Sequence, residues 1–210
     1  MRAIQKLSEP RSLAKHRDAE YATFDNYQDR AGLQASLVGE QRGLCCYCLS
    51  RIPDVRGMKI EHWHSQSEFS KEQLDYSNLL GACLGGEGQP PSKQHCDTRK
   101  GNRLLSRNPA NPVHAIEDVI GFALDGRVFS DDPGFNAELN DVLNLNFAFL
   151  KNNRKAVLQA FTESLDRGAV TRRTLEKQLR KWNGESDAAK LQPYCQVVVY
   201  WLRKRLRRVS

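Results

Sequence analysis

Hydrophobic and polar positions follow different rhythms in different parts of the chain. From Tyr27 to Arg42, the apolar Ala31, Leu33, Ala35, Leu37 and Val38 fit a short amphipathic helix, with Gly43 as its stop. Residues 119–129, VIGFALDGRVF, alternate around Asp125-Gly126, which predicts a β-hairpin with a type I′ turn. Beyond about Phe135 the rhythm is helical. Leu139, Val142, Leu143 and Leu145 form one stripe, and Val157, Leu158, Phe161 and Leu165 a second. Leu175 and Leu179 behind Thr171 predict a third helix, and Val197, Val198, Trp201 and Leu202 behind Pro193 a last one. Residues 1–25 are polar and only weakly periodic. Residues 44–103 keep neither rhythm: they hold five of the six cysteines and three of the five histidines among Gly and Pro turns. No repeat or low-complexity linker interrupts the chain. The pattern predicts an α+β fold, mostly helical, with a cysteine-rich module in its first half.

Composition narrows this. The 210 residues suit one domain or slightly more. A mean hydropathy of -0.63, with no apolar run near the ~18 residues that cross a bilayer, excludes a membrane-spanning chain. At 40% hydrophobic residues the chain is not a disordered one. MRAIQKLSEP lacks the apolar core of a secretory leader, so a cytoplasmic protein with reduced thiols is expected. The net charge of +7 favours polyanionic partners, but it is unevenly placed. Arg203, Lys204, Arg205, Arg207 and Arg208 crowd the last ten residues, and without them 27 Lys+Arg face 25 Asp+Glu.

Four cysteines are spaced for a metal. Cys45 and Cys48 form a Cys-x2-Cys knuckle, and Cys83 and Cys96 follow, separated by twelve residues of Gly/Pro-rich loop. One tight turn can present two thiolates to a tetrahedral Zn²⁺. The alternatives are buried core thiols or a redox pair, and the lack of a thioredoxin-like βαβ pattern places structural zinc ahead of both. Cys46 and Cys195 are expected to be plain core thiols. His95, beside Cys96, is an alternative ligand.

Between and after these pairs lie Glu61-His62-Trp63-His64, Asn78 and Asp97. A phosphodiester hydrolase needs a neutral imidazole to deprotonate water, oxygen ligands for a hard cation, and a polar group to orient the imidazole. Those residues supply such a set. Neighbours on a strand face opposite sides, so Glu61 and His62 converge only where the strand ends or bulges. Asp97 is placed to cap a helix over Lys100 to Leu105. Taken singly, each of these residues reads first as a solvated acid, a turn residue or a half-buried histidine; together, between cysteines in this order, they favour the hydrolase.

The order CCYC, IEHW, NLLGAC, HCDTRKGN resembles an HNH (ββα-metal) endonuclease over about residues 40–105. With MRAIQK at the start and the LDGRV hairpin, it is similar more narrowly to the PtuB-like nuclease subunit of Septu antiphage systems, which also serves some retrons. The resemblance implies that His62 is the general base and that Asn78 supports it. It implies that Glu61 and Asp97 bind Mg²⁺ or Mn²⁺, and that Cys45, Cys48, Cys83 and Cys96 bind structural zinc. It divides the chain into a helical segment (1–40), the nuclease module (41–110) and a hairpin and helical region with a basic tail (111–210). It implies a nucleic acid substrate, DNA first, a PtuA-like ATPase partner, and in retron settings a reverse transcriptase/msDNA complex. Asp97 stands where many HNH proteins have His or Asn, and Ser65 where proline is frequent. His64 is the rival to His62. Arg99, Lys100 and Arg103 are expected at phosphates. A non-catalytic zinc module that binds nucleic acid or protein is the competing reading.

Overall fold

The computed structural model describes residues 1–165, 170–185 and 189–208. The polar opening contains a helix after all, α1 (Arg11–Arg17). It buries only Leu13, too little to leave a periodic signal. The next helix, α2 (Arg30–Glu40), is capped by the Asp29 carboxylate accepting from Gly32 N, and it buries Leu33 and Leu37. Gln41 ends it, and Gly43 follows at φ +80.

Strands β1 (Met58–His62) and β2 (Leu79–Cys83) pair antiparallel in a regular register from Met58↔Cys83 to His62↔Leu79. Helix α3 (Cys96–Lys100) packs on β2. The sheet separates two apolar cores. Met58, Ile60 and Leu79 face the one built with α1 and α2, whereas Leu80 and Ala82 face the larger one with the cysteines. That larger core also takes Met1, Phe135, Phe161, Leu175 and Val198, so it draws on all three predicted segments.

The second hairpin, β3 (Gly121–Phe122) and β4 (Val128–Phe129), follows the short helix α4 (Ile116–Val119). Its turn is not type I′. Gly126 N donates to Ala123 O, Ala123 N to Arg127 O, and only Gly126 has a positive φ, +86, so three residues bridge the strands. A Cβ at Gly126 would lie 2.1 Å from Lys151 O, and Arg154 Nε donates to Gly126 O at 2.7 Å. Docking against the next helix thus decides the turn.

The stripe from Leu139 to Leu145 is not one α-helix: α5 (Pro133–Ala137) runs into a π turn, Glu138–Val142. Among the described residues three helices follow, α6 (Ala148–Leu165), α7 (Arg172–Asn183) and α8 (Cys195–Leu206). Among the described residues no helix is long and apolar enough to cross a membrane.

Candidate metal centre and active site

Four sulfurs converge from three places: Cys45 and Cys48 in the turn after α2, Cys83 at the end of β2, and Cys96 at the start of α3. All four Sγ atoms lie within 4.8 Å of one another and are buried. Cys48 and Cys83 are 3.7 Å apart, and Cys45 and Cys96 3.9 Å. Sulfurs at about 2.3 Å from a tetrahedral zinc stand about 3.8 Å from each other, so the donor set fits that ion. Burial pushes these thiols up, yet hydrogen bonds from neighbouring thiols hold Cys45 well below the ordinary range and Cys48 at about 6. Cys96, by burial and by donating to both, is pushed well above it. Cys83 is pushed up too, chiefly by its hydrogen bonds to Cys45 and Cys48, so two of the four thiols hold their protons and metal binding must displace them. His95 Nδ1 lies 3.2 Å from Cys96 Sγ and so supports a ligand; Cys46 is buried outside the cluster. The loop from Cys83 to Cys96 is drawn tight at Gly85, φ +58, where a Cβ would meet His95 O at 2.2 Å.

Beside this centre, on the α3 face of the sheet, Glu61 is 2% exposed. It accepts from Tyr47 OH at 2.7 Å and from the Lys100 ammonium at 2.8 Å. Asp97 faces it across the same seam, close enough for each carboxyl to act on the other. Burial first, then Asp97, pushes the Glu61 carboxyl well above the ordinary range, with Lys100 pulling it back. Two carboxyl groups competing for one proton are an oxygen donor pair that a hard divalent cation would relieve. Asp97 does not cap a following helix. It lies in the first turn of α3, which begins at Cys96 and ends at Gly101, φ +56, and its carboxylate is 3.9 Å from Lys59 Nζ.

His62 turns the other way. β1 does not bulge, so the imidazole lies on the Leu79 side, edge-on to Phe24 at 4.4 Å. Its Nε2 is 3.0 Å from Gln73 O. A carbonyl only accepts, so toward Gln73 this nitrogen donates, while the Gln66 side-chain amide lies 3.0 Å from the same nitrogen and 3.4 Å from Nδ1. Burial holds the imidazole below its usual value, which keeps it neutral at pH 7. Asn78 does not touch this ring. It clamps the turn after β1: its Oδ1 accepts from His64 N at 2.8 Å, and its Nδ2 donates to His64 O at 3.0 Å and Glu72 O at 3.2 Å. His64 Nδ1 meets Glu72 at 2.7 Å, and its ring stacks on Phe69 at 4.3 Å. Ser65 is buried in this turn.

The three cations expected at phosphates are placed differently from one another. Lys100 is 1% exposed and committed to Glu61. Arg103 donates to the carbonyls of Lys100, Asp141, Val142 and Arg99, lashing α3 to the π turn. Arg99 donates to Pro91 O at 3.1 Å. Sequence reasoning missed Tyr47 and the inward course of Lys100.

No family model matches the chain. It is similar to the Escherichia coli protein "Retron Ec83 putative HNH endonuclease", 25% identical over 229 residues. The similarity covers 87% of this chain and 88% of that protein.

Proposed function

We propose that the chain is a metal-dependent HNH endonuclease that hydrolyses phosphodiester bonds of nucleic acid, DNA first. One observation carries this reading: Glu61 and Asp97 meet on the seam between a two-stranded sheet and the helix that a four-cysteine cluster ties to it. The similarity to a protein named as a retron HNH endonuclease supports it. In the proposal the cysteines hold structural zinc, and Glu61 and Asp97 hold Mg²⁺ or Mn²⁺. When bound, that cation would stabilise charge on the phosphate and on the departing 3′ oxygen. His62, the last residue of β1, takes the proton of the attacking water, which asks its ring to leave the Gln73 and Gln66 contacts that hold it on the Leu79 side. Asn78 acts through the backbone of the β1–β2 connection, fixing how the strand leaves His62. Products then carry 5′-phosphate and 3′-hydroxyl ends. We propose further, from the resemblance of its motifs to PtuB-like subunits, that the chain acts with a PtuA-like ATPase in an antiphage complex, including one built on a retron reverse transcriptase and its msDNA.

The buried Lys100–Glu61 pair favours the second reading, a non-catalytic zinc module, because Glu61 already has a counter-charge. A plasmid nicking assay with Mg²⁺ or Mn²⁺, run with and without the ATPase, separates the two. His62→Ala should abolish cleavage while zinc content and melting temperature match the parent; retained cleavage would overturn the role of His62. Nicking that fails under every metal and partner condition would favour the binding module.

A further inference from the structure

Near the candidate site Lys59 and Lys100 face carboxylates, Arg99 and Arg103 donate to backbone carbonyls, and Glu61, Asp97, Glu87 and Glu72 lie there as well. A long polyanion would gain from cations elsewhere that face no carboxylate. Helices α7 and α8 lie antiparallel. Trp182 near the end of α7 packs with Cys195 at the start of α8, and Leu175 near the start of α7 shares a core with Leu202. From Arg172 to Asn183 and from Cys195 to Arg208, these helices carry ten of the 32 Lys+Arg and one of the 25 Asp+Glu. The rest of the chain has 22 against 24 and is slightly acidic.

The placement is regular. Arg173, Lys177, Arg180 and Lys181 recur at i, i+4, i+7 and i+8, all exposed, opposite the buried Leu175 stripe. Arg205, Arg207 and Arg208 are exposed where α8 ends, at the same end of the pair as the start of α7. Among the described residues, the cations of these helices that meet a carboxylate are Arg172, on Glu176, and Arg203, on Glu117. The helix dipole accounts for the cations in the last turns of α7 and α8, but not for Arg172 and Arg173, which begin α7, where it disfavours a cation. Neither helix presents an exposed large apolar residue, which a protein interface needs as its anchor. Arginine predominates, and its planar fork suits phosphate oxygens.

We propose that the exposed face of α7 and α8 is a sequence-independent binding site for a nucleic acid backbone, separate from the candidate catalytic face. The test measures anisotropy of a labelled duplex of about 30 base pairs with the full chain in Mg²⁺-free buffer, across a KCl series, so that cleavage plays no part. Arg173→Glu/Lys177→Glu/Arg180→Glu should weaken binding about tenfold or more near 100 mM salt and make the log Kd–log salt slope shallower by about 2 to 3. Arg205→Glu/Arg207→Glu/Arg208→Glu should act alike. Lys15→Glu/Lys71→Glu/Lys155→Glu, which changes net charge equally on other exposed surfaces, should leave most of the slope in place. If a reversal set fails to match the parent in melting and zinc content, the same positions changed to Gln replace it. A parental slope in both reversal sets would overturn the proposal, as would equal flattening by the control set. Loss of an acidic protein partner with DNA binding intact would overturn it too. None of these results depends on whether the chain cuts.

Discussion

An ammonium at 1% exposure needs a carboxylate, and Lys100 has Glu61 at 2.8 Å. Lys100→Ala should therefore destabilise the protein by about 3–5 kcal/mol in urea unfolding, because it leaves a buried acid without its cation. Lys100→Met with Glu61→Gln should recover most of that loss, since both charges leave together. Were Lys100 a phosphate contact, Lys100→Ala would leave stability unchanged and lower only the affinity for nucleic acid. The inward course was partly legible: Lys100 follows Cys96 by four residues and so shares its helical side, and Cys96 is buried. Its partner was not, because Glu61 comes from another element. Asn78 shows the same limit. Its spacing marked it out, but its target proved to be the backbone at His64 rather than the His62 ring.

At the level of elements, the cysteine cluster joins the α2 turn, β2 and α3 at a single point. We expect one zinc per chain by metal analysis. Cys48→Ser should lose it together with folding free energy on the order of 10 kcal/mol, and Cys46→Ala should keep it. A parental melting curve in the metal-free Cys48→Ser protein would refute the structural role. Most elements were legible because their apolar periods are long: α2, α6, α7 and α8 fall where the stripes put them. The failures have local causes. A single buried leucine made α1 silent, a π turn cut the stripe ending at Leu145, and the docking of Gly126 on α6 set a three-residue turn that Asp125-Gly126 alone does not imply.

Across the whole molecule, Glu117 ties the N-terminal segment to the last helix. It meets Arg203 at 2.9 Å and Arg2 at 3.9 Å, and it accepts from Ala3 N at 3.3 Å. Burial pushes its carboxyl up, but Arg2 and Arg203 together hold it below the ordinary 4.5. A lowered folded value means that the stabilisation is complete above 4.5 and fades as pH falls through that lower value. Glu117→Gln should thus cost about 1–2 kcal/mol at pH 7, and its melting temperature should converge on the parent's in acid. A gap that stays constant with pH would count against the ion pairs. Contacts of this range were illegible, since no period in the sequence relates position 2 or 117 to position 203. The same long-range closure sets an order of events during synthesis. Met1, Tyr194 and Val197 line one small cavity with Cys48, and Val198 and Leu202 share the core of the four cysteines. On a ribosome the thiols emerge about a hundred residues before α8 can cover them. For that interval the four thiols stand without the cover of α8, so a disulfide formed among them then would leave the cluster unable to close as it does in the folded chain.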